Sequence, residues 1–371
     1  MLTIKLPRAD GTLAAFTPRA AVAWPAPKGL PRWNRVAFAA AHVVADPDDV
    51  TRLDWDATMA FRRHLWQSGL GVAEAMDTAQ RGMGLDWPTA AELIKRSAAE
   101  ADGGLIACGA GTDQLAGTPT SLDEVIAAYT EQLSVVESAG AQPILMASRQ
   151  LAAIARDADD YHEVYGRMLG QLSDKAILHW LGPMFDPALT GYWGSEDLDR
   201  ATETFLAVIE ANAEHVDGVK ISLLDAEREI QLRRRLPKGV RCYTGDDFNY
   251  PRLIAGDEHG HSDALLGIFD PLAVVAERAL ARLDDSDTAG FLSTLEPTVA
   301  LARHVFEPPT RFYKTGVVFL AWLSGHQEHF SMIGGLETAR SREHLLRCYE
   351  LAAELDLFPD PELAASRAAL L

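Results

Sequence analysis

Lys220 stands in the middle of the apolar run Val-Asp-Gly-Val-Lys-Ile-Ser-Leu at 216–223, where an ammonium group is out of place. Burial disfavours the charged form of an amine, so its pKa falls and it becomes a nucleophile near neutral pH, able to condense with a carbonyl. The plain alternative is a lysine that snorkels to water or pairs with a carboxylate. The chain holds only seven lysines against 27 arginines, and this is the one that falls in mid-strand.

Other polar residues at the ends of apolar runs could work beside it. The run Ile-Leu-His-Trp-Leu-Gly-Pro carries His179, suited to general acid–base work at physiological pH, although a lone strand histidine is equally a hydrogen-bonded structural residue. Cys-Tyr-Thr-Gly-Asp-Asp-Phe brings Tyr243, a second proton-transfer candidate. Its Gly245 permits a tight turn, and Asp246 and Asp247 could hold hydroxyls or a cation. Two aspartates after a glycine are also a helix N-cap. Glu74 and Asp77 end one earlier run and His42 another, all three candidate substrate ligands. Glu74, His179 and Asp246 together make a conceivable divalent-metal set, since carboxylate and imidazole suit such ions.

Two further motifs carry less. His326 and His329 are three apart, which on a helix shares a face, but the zinc-protease spacing is missing, so a surface or interface pair is expected. Residues 109–117, Gly-Ala-Gly-Thr-Asp-Gln-Leu-Ala-Gly, lack the Gly-Lys-Ser/Thr of a phosphate loop and read as a strand-end turn.

Elements that could position these groups recur at a regular beat. Short apolar runs at 36–44, 70–76, 104–109, 142–147, 176–181, 216–223, 240–244 and 264–269 read as strands. Helical patterns at 55–66, 89–101, 121–139, 152–172, 197–215, 225–235 and 271–283 lie between them. Eight strands alternating with helices predict a (β/α)₈ barrel over 34–284. An open doubly wound sheet competes, but no Gly-x-Gly-x-x-Gly follows the first strand. Beyond 284 only helical patterns recur, at 288–305, 311–324 and 341–355, so 285–371 is expected to be a C-terminal helical extension. Residues 1–33, proline-rich around Pro25, Pro27 and Pro31, suggest an extended arm or small hairpin.

Composition bounds the partners. With 371 residues, 48% of them hydrophobic, a net charge of −19 and three cysteines, the chain is neither disordered nor disulfide-stapled, and no basic surplus speaks for nucleic acid. No run of about 18 apolar residues would span a membrane, and the first residues lack a signal-peptide pattern. A cytoplasmic protein with Cys108, Cys242 and Cys348 as buried thiols is expected.

The order of these motifs resembles that of the dihydrodipicolinate synthase/N-acetylneuraminate lyase family over about residues 34–325. Gly-Leu-Ile-Ala-Cys-Gly-Ala-Gly is similar to that family's third-strand turn, and Asp-Gly-Val-Lys-Ile-Ser to its sixth strand with the Schiff-base lysine. Thr-Gly-Asp-Asp-Phe looks like its seventh-strand turn, and Phe-Tyr-Lys-Thr-Gly-Val-Val-Phe-Leu resembles its first C-terminal helix. The resemblance implies a divergent class I aldolase-like barrel, a lyase with Lys220 as the amine, no cofactor and a homo-oligomeric state.

Two departures qualify it. His179-Trp180-Leu181-Gly182-Pro183 stands where the family keeps a proton-relaying tyrosine, so His179 is expected as the shuttle. Glu74-Ala75-Met76-Asp77-Thr78 stands where the family has a carboxylate-binding hydroxyl loop, so a hydroxylated or cationic ligand is expected over a 2-keto acid. The reading is a Schiff-base-forming lyase, aldolase or dehydratase on a small keto or sugar-like compound. The alternatives are a metal-dependent barrel isomerase, aldolase or hydrolase, and a non-catalytic metabolite-binding barrel.

Overall fold

A computed structural model describes residues 3–7, 12–17 and 33–371. Eight parallel strands close into a barrel: β1 (Ala37–Ala40), β2 (Gly71–Glu74), β3 (Ile106–Ala110), β4 (Gln142–Leu145), β5 (Ala176–Leu181), β6 (Val216–Ser222), β7 (Arg241–Thr244) and β8 (Asp263–Leu266). The sheet runs β6-β7-β8-β1-β2-β3-β4-β5 and closes on itself. These strands are apolar on both faces, as a parallel sheet wrapped in helices requires; every residue of β5 is buried.

Helices α1 (Trp55–Gln67), α2 (Trp87–Glu100), α3 (Leu122–Ser138), α4 (Ala158–Leu169), α5 (Leu198–Ala211), α6 (Ala226–Arg233), α7 (Tyr250–Ala255) and α8 (Ala273–Asp284) follow the strands in turn. Their starts are written in the sequence: Asp54, Asp86, Ser121 and Asp225 each accept a backbone N–H of the first turn they cap. The pattern at 152–172 proves to be two helices, Arg149–Ile154 and α4, because Asp157 caps a new start. The run at 36–44 overshoots the first strand, which stops at Ala40; beyond it the chain forms a small hairpin, Ala45–Asp46 with Asp49–Leu53.

Side chains fill the barrel in layers. At the N-terminal end the Phe38 and Tyr243 rings meet edge to face at 6.1 Å. Each ring occupies the space over a glycine, Gly71 and Gly218 respectively, where a Cβ would collide with it. Above them Ala73, Ala107, Ile144 and Ile177 complete an apolar floor.

Five more helices follow: α9 (Thr288–Leu295), α10 (Val299–Val305), α11 (Tyr313–Leu323), α12 (Arg342–Glu354) and α13 (Pro361–Ala368). The pattern at 288–305 breaks at a 3₁₀ turn around Pro297, whose ring cannot continue an α-helix. Helix α11 ends at Leu323, before His326 and His329, so these histidines share no helix face. His326 instead packs on His64 and Phe61 of α1, with ring centroids 4.4 and 5.1 Å apart.

Near the N-terminus Ile4–Pro7 pairs with Leu13–Phe16 as a hairpin, whose Phe16 meets Tyr349 of α12. Pro25, Pro27 and Pro31 lie outside the described residues. Cys108, Cys242 and Cys348 are free and buried. Among the described residues no helix is long and apolar enough to cross a membrane.

Candidate active site at the C-terminal rim of the barrel

Parallel register sets the centre of the site. Lys220 on β6 is the partner of His179 on β5 and of Tyr243 on β7, so all three side chains point into the barrel. Lys220 is 7% exposed, and its Nζ makes no hydrogen bond or ion pair with the described residues. Burial pulls its pKa below the ordinary lysine value, with Asp77 and then Asp247 opposing the fall.

Gly245 is where a side chain could not be tolerated. A Cβ there would lie 2.9 Å from Lys220 Cε and 2.9 Å from the Ile221 carbonyl, and would collide with Ser222 Oγ. The glycine therefore opens the path along which the lysine stem runs.

His179 Nε2 is 3.1 Å from Ser222 Oγ, two residues beyond Lys220 on the same strand face, and its Nδ1 is buried without a partner. Burial, with the Lys220 charge adding to it, holds this imidazole neutral well below the usual histidine range. Asp247 accepts the Ile268 backbone N–H at 2.8 Å. Burial pushes its carboxyl up to about 7, against that hydrogen bond and the nearby lysine.

Asp77 opens the 3₁₀ turn Asp77–Ala79 after β2 and lines a cavity of about 270 Å³ together with Arg81, Thr112, Asp113, Ser148, Arg149, His179 and Asp186. A second cavity of about 290 Å³ lies at the opposite end, beside Trp33, Arg35 and Arg241; His179 lines the first and not the second, and Lys220 is in the lining of neither.

Four sequence-stated candidates stand elsewhere. Glu74 turns outward between β2 and the helices, where Arg62 Nε and Nη2 donate to it at 2.9 and 2.8 Å and Ala75 N at 2.8 Å, with Ser97 Oγ completing the set. It is a buried ion pair and not a rim ligand. Strand alternation, counted one residue on from inward Ala73, would have placed it outside.

Asp246 is taken up by the turn that leads into α7, whose cap residue is Asn249: its carboxylate accepts from Phe248 N at 2.8 Å, Asn249 N at 3.1 Å and Asn249 Nδ2 at 2.8 Å. With Glu74 and Asp246 so engaged and His179 on another face, the three do not converge as a metal set. Tyr243 points its hydroxyl toward the floor, donating to Asp217 Oδ2 at 2.6 Å, because its ring fills the space over Gly218. It cannot relay protons at the rim. His42 is held away from the cavity by Asp270, which takes its Nδ1 at 2.8 Å and its backbone N at 2.8 Å.

The loss of Glu74 and Asp246 from the rim also alters its charge. Arg81 donates to Asp113 at 2.9 Å, to Gln132 at 2.8 Å and to the Ala75 and Gly109 carbonyls at 3.2 Å, and Arg149 pairs with Asp186, so two of the three aspartates in the wall are matched by arginines. Lys314 of α11 is a second buried amine; burial pushes it down to about 8, with Asp77 opposing. An ammonium inside the apolar run Tyr-Lys-Thr-Gly-Val-Val was the signal for it, the same one that marked Lys220.

The C-terminal helices roof the rim. Phe306 and Tyr313 stack at 4.3 Å above Gly267, where a Cβ would meet them at 3.0 and 3.1 Å. Phe185 leans edge-on against Tyr313 at 6.1 Å, and Tyr313 Oη is 2.7 Å from Thr78 Oγ1.

The closed parallel barrel with its trailing helices is similar in fold to solved dihydrodipicolinate synthase structures. A putative dihydrodipicolinate synthetase from Pseudomonas aeruginosa superposes with a TM-score of 0.66 at 14% identity, over 86% of this chain and 99% of that one. Dihydrodipicolinate synthase from Aquifex aeolicus gives 0.67 at 12% identity, over 87% and 98%. YagE, a prophage protein of that family from E. coli K12 in complex with pyruvate, gives 0.70 at 13% identity, over 87% and 99%.

Within that fold, the chain belongs to the family described as "Protein of unknown function (DUF993)", whose model matches residues 4–371. No curated protein matches its sequence.

Proposed function

We propose that this chain is a Schiff-base-forming lyase, an aldolase or dehydratase, that acts on a small keto or polyhydroxylated carbonyl compound. The observation that carries the reading is the Lys220 amine: buried, without a hydrogen-bond partner, lowered in pKa, and in register with His179, which lines the rim cavity. The likeness of the fold to lyases of the dihydrodipicolinate synthase type supports it.

In this reading neutral Lys220 Nζ attacks the substrate carbonyl carbon, and the resulting carbinolamine takes a proton from the Asp247 carboxyl on its hydroxyl and loses water to leave a protonated imine. A base removes the proton of a substrate hydroxyl. The electrons of the adjacent C–C bond then flow into the iminium, leaving an enamine on Lys220 and a released carbonyl fragment. For loss of water, a proton leaves the carbon beside the imine and hydroxide departs from the next. Protonation of the enamine and hydrolysis of the imine return the amine.

Asp247 is the proton carrier, because a carboxyl near 7 can both take and return a proton at neutral pH. This shifts the role expected of His179. Held neutral and fixed by Ser222, it serves as a hydrogen-bond donor or acceptor to the substrate and not as a charged acid. Asp77, Thr112 and Ser148 would face substrate hydroxyls, and Lys314 would balance Asp77.

The test is turnover of a panel of keto sugars and small hydroxyketones by the purified chain and by Lys220→Ala. The proposal expects cleavage or dehydration of at least one compound, lost in the variant. Full turnover by Lys220→Ala would overturn it.

A further inference from the structure

Away from the barrel rim, two helices of the C-terminal extension bring together a set of side chains that the proposed lyase chemistry does not use. His344 and Cys348 are four apart on α12 and so share one face, and His304, in the last turn of α10, stacks on His344 with ring centroids 4.2 Å apart. The donor atoms of these three residues all lie within 4.8 Å of one another.

The hydrogen bonds around them have the pattern of a metal site. Glu307 Oε1 takes His344 Nδ1 at 2.8 Å, which leaves Nε2 as that ring's free atom; this Nε2 is buried with no partner, on a residue only 6% exposed. A carboxylate fixing one imidazole nitrogen so that the other carries a lone pair is how metal-bound histidines are usually oriented. His304 Nε2 meets the His344 carbonyl at 3.0 Å, which leaves its Nδ1 for a metal, 3.3 Å from Glu307 Oε2.

Cys348 is fully buried, and the adjacent helix α11 presents Gly316 to it, so no side chain covers the sulfur from that direction. Arg340 lies nearby, but its guanidinium donates to the carbonyls of Glu307 at 2.6 Å and Pro309 at 3.2 Å and holds the loop that carries Glu307.

We infer that His304, His344 and Cys348 form a site for a thiophilic divalent cation of the zinc type, with Glu307 orienting His344 and available as a fourth ligand. One thiolate and two imidazoles are a zinc donor set. With Zn–N near 2.0–2.1 Å and Zn–S near 2.3 Å, the donors need to close by about 1 Å, the two rings tilting out of their stack. Binding displaces the Cys348 thiol proton to solvent, and the cation takes the sulfur lone pair. His304 is partly exposed and Glu307 more so, which gives the ion a way in. The bound cation would staple α10 to α12, and α10 leads directly into Phe306 of the aromatic roof.

The experiment uses the full chain, dialysed against a chelator and titrated with Co²⁺, then with Zn²⁺. The expected result is a near-ultraviolet sulfur-to-cobalt charge-transfer band that saturates at one equivalent and bleaches on adding Zn²⁺. The band should vanish in Cys348→Ser, and affinity should drop at least tenfold in His304→Asn that remains folded by circular dichroism. Should Cys348→Ser fail to fold, His304→Asn alone decides. The site is refuted by the absence of a sulfur band in the wild type, by a band that survives Cys348→Ser, or by unchanged Co²⁺ affinity in His304→Asn. None of these readouts depends on lyase turnover.

Discussion

The Lys220 amine and the Asp247 carboxyl titrate toward one another: burial pulls the lysine below its ordinary value and pushes the aspartate up to about 7. Each partly opposes the other's shift, since a charged amine favours a carboxylate and the reverse. The result is an amine biased toward its neutral, nucleophilic form beside a carboxyl that takes and returns a proton near 7.

This pairing predicts the acid limb of the rate profile. Attack needs the neutral amine and hydroxyl deprotonation needs the carboxylate, so kcat/KM should rise as pH climbs through about 7. Asp247→Asn should lose on the order of 10²–10⁴ in kcat and flatten that limb. An unchanged pH profile in the variant would remove Asp247 from proton transfer.

Gly245→Ala tests whether the lysine needs the opening beside it. The added methyl meets Lys220 Cε and the Ile221 carbonyl at 2.9 Å, and the carbonyl cannot step aside as a flexible side chain could. Overpacking of this kind costs roughly 1–3 kcal/mol of stability. Turnover should fall at least tenfold in variant protein that remains folded by circular dichroism, and wild-type kinetics in such protein would count against the packing argument.

Glu74→Ala should be a stability variant and not a catalytic one. It leaves Arg62 charged and unpaired in a fully buried position, and breaking such a pair costs about 3–5 kcal/mol. Denaturant midpoints should fall sharply while kcat of the folded fraction holds. The opposite pattern would return Glu74 to the rim.

Glu229 on α6 should give a pH-dependent stability of known sign. It accepts Ser262 Oγ at 2.7 Å and Thr244 Oγ1 at 3.0 Å, and burial pushes its carboxyl from 4.5 up to about 8. Between those values the folded chain keeps a proton that the unfolded chain has released. Stability therefore falls as pH rises from about 4.5 to 8, by roughly 1.4 kcal/mol per unit from this one group. Glu229→Gln, neutral throughout, should reduce that slope in urea melts at pH 5 and pH 8. An equal slope in the two proteins would contradict the assignment.

Much of the barrel was legible in the sequence because its physics is local. Apolar runs of strand length, the aspartates and Ser121 that start the helices, and an ammonium in mid-strand all declare themselves within a few residues. Register then decides what a run cannot. Counting alternation from Lys220 correctly turns Ser222 inward, and the same count from Ala73 turns Glu74 out to Arg62. Tyr243 was misplaced for a different reason: it does face inward, but the space over Gly218 draws its ring toward the floor. Lys314 and the Phe306–Tyr313 roof come from the far end of the chain, and no local pattern ties a trailing helix to the barrel rim.

Borohydride trapping followed by peptide mapping tests the central claim most directly. Incubation with a substrate identified by turnover, reduction, and digestion should yield one adduct, equal to the substrate's or product's mass less water plus two hydrogens, on the peptide containing Lys220. The same treatment of Lys220→Ala should yield none. Turnover without a trapped adduct, or an adduct that maps to Lys314 or another lysine while Lys220 stays unmodified, would contradict the account.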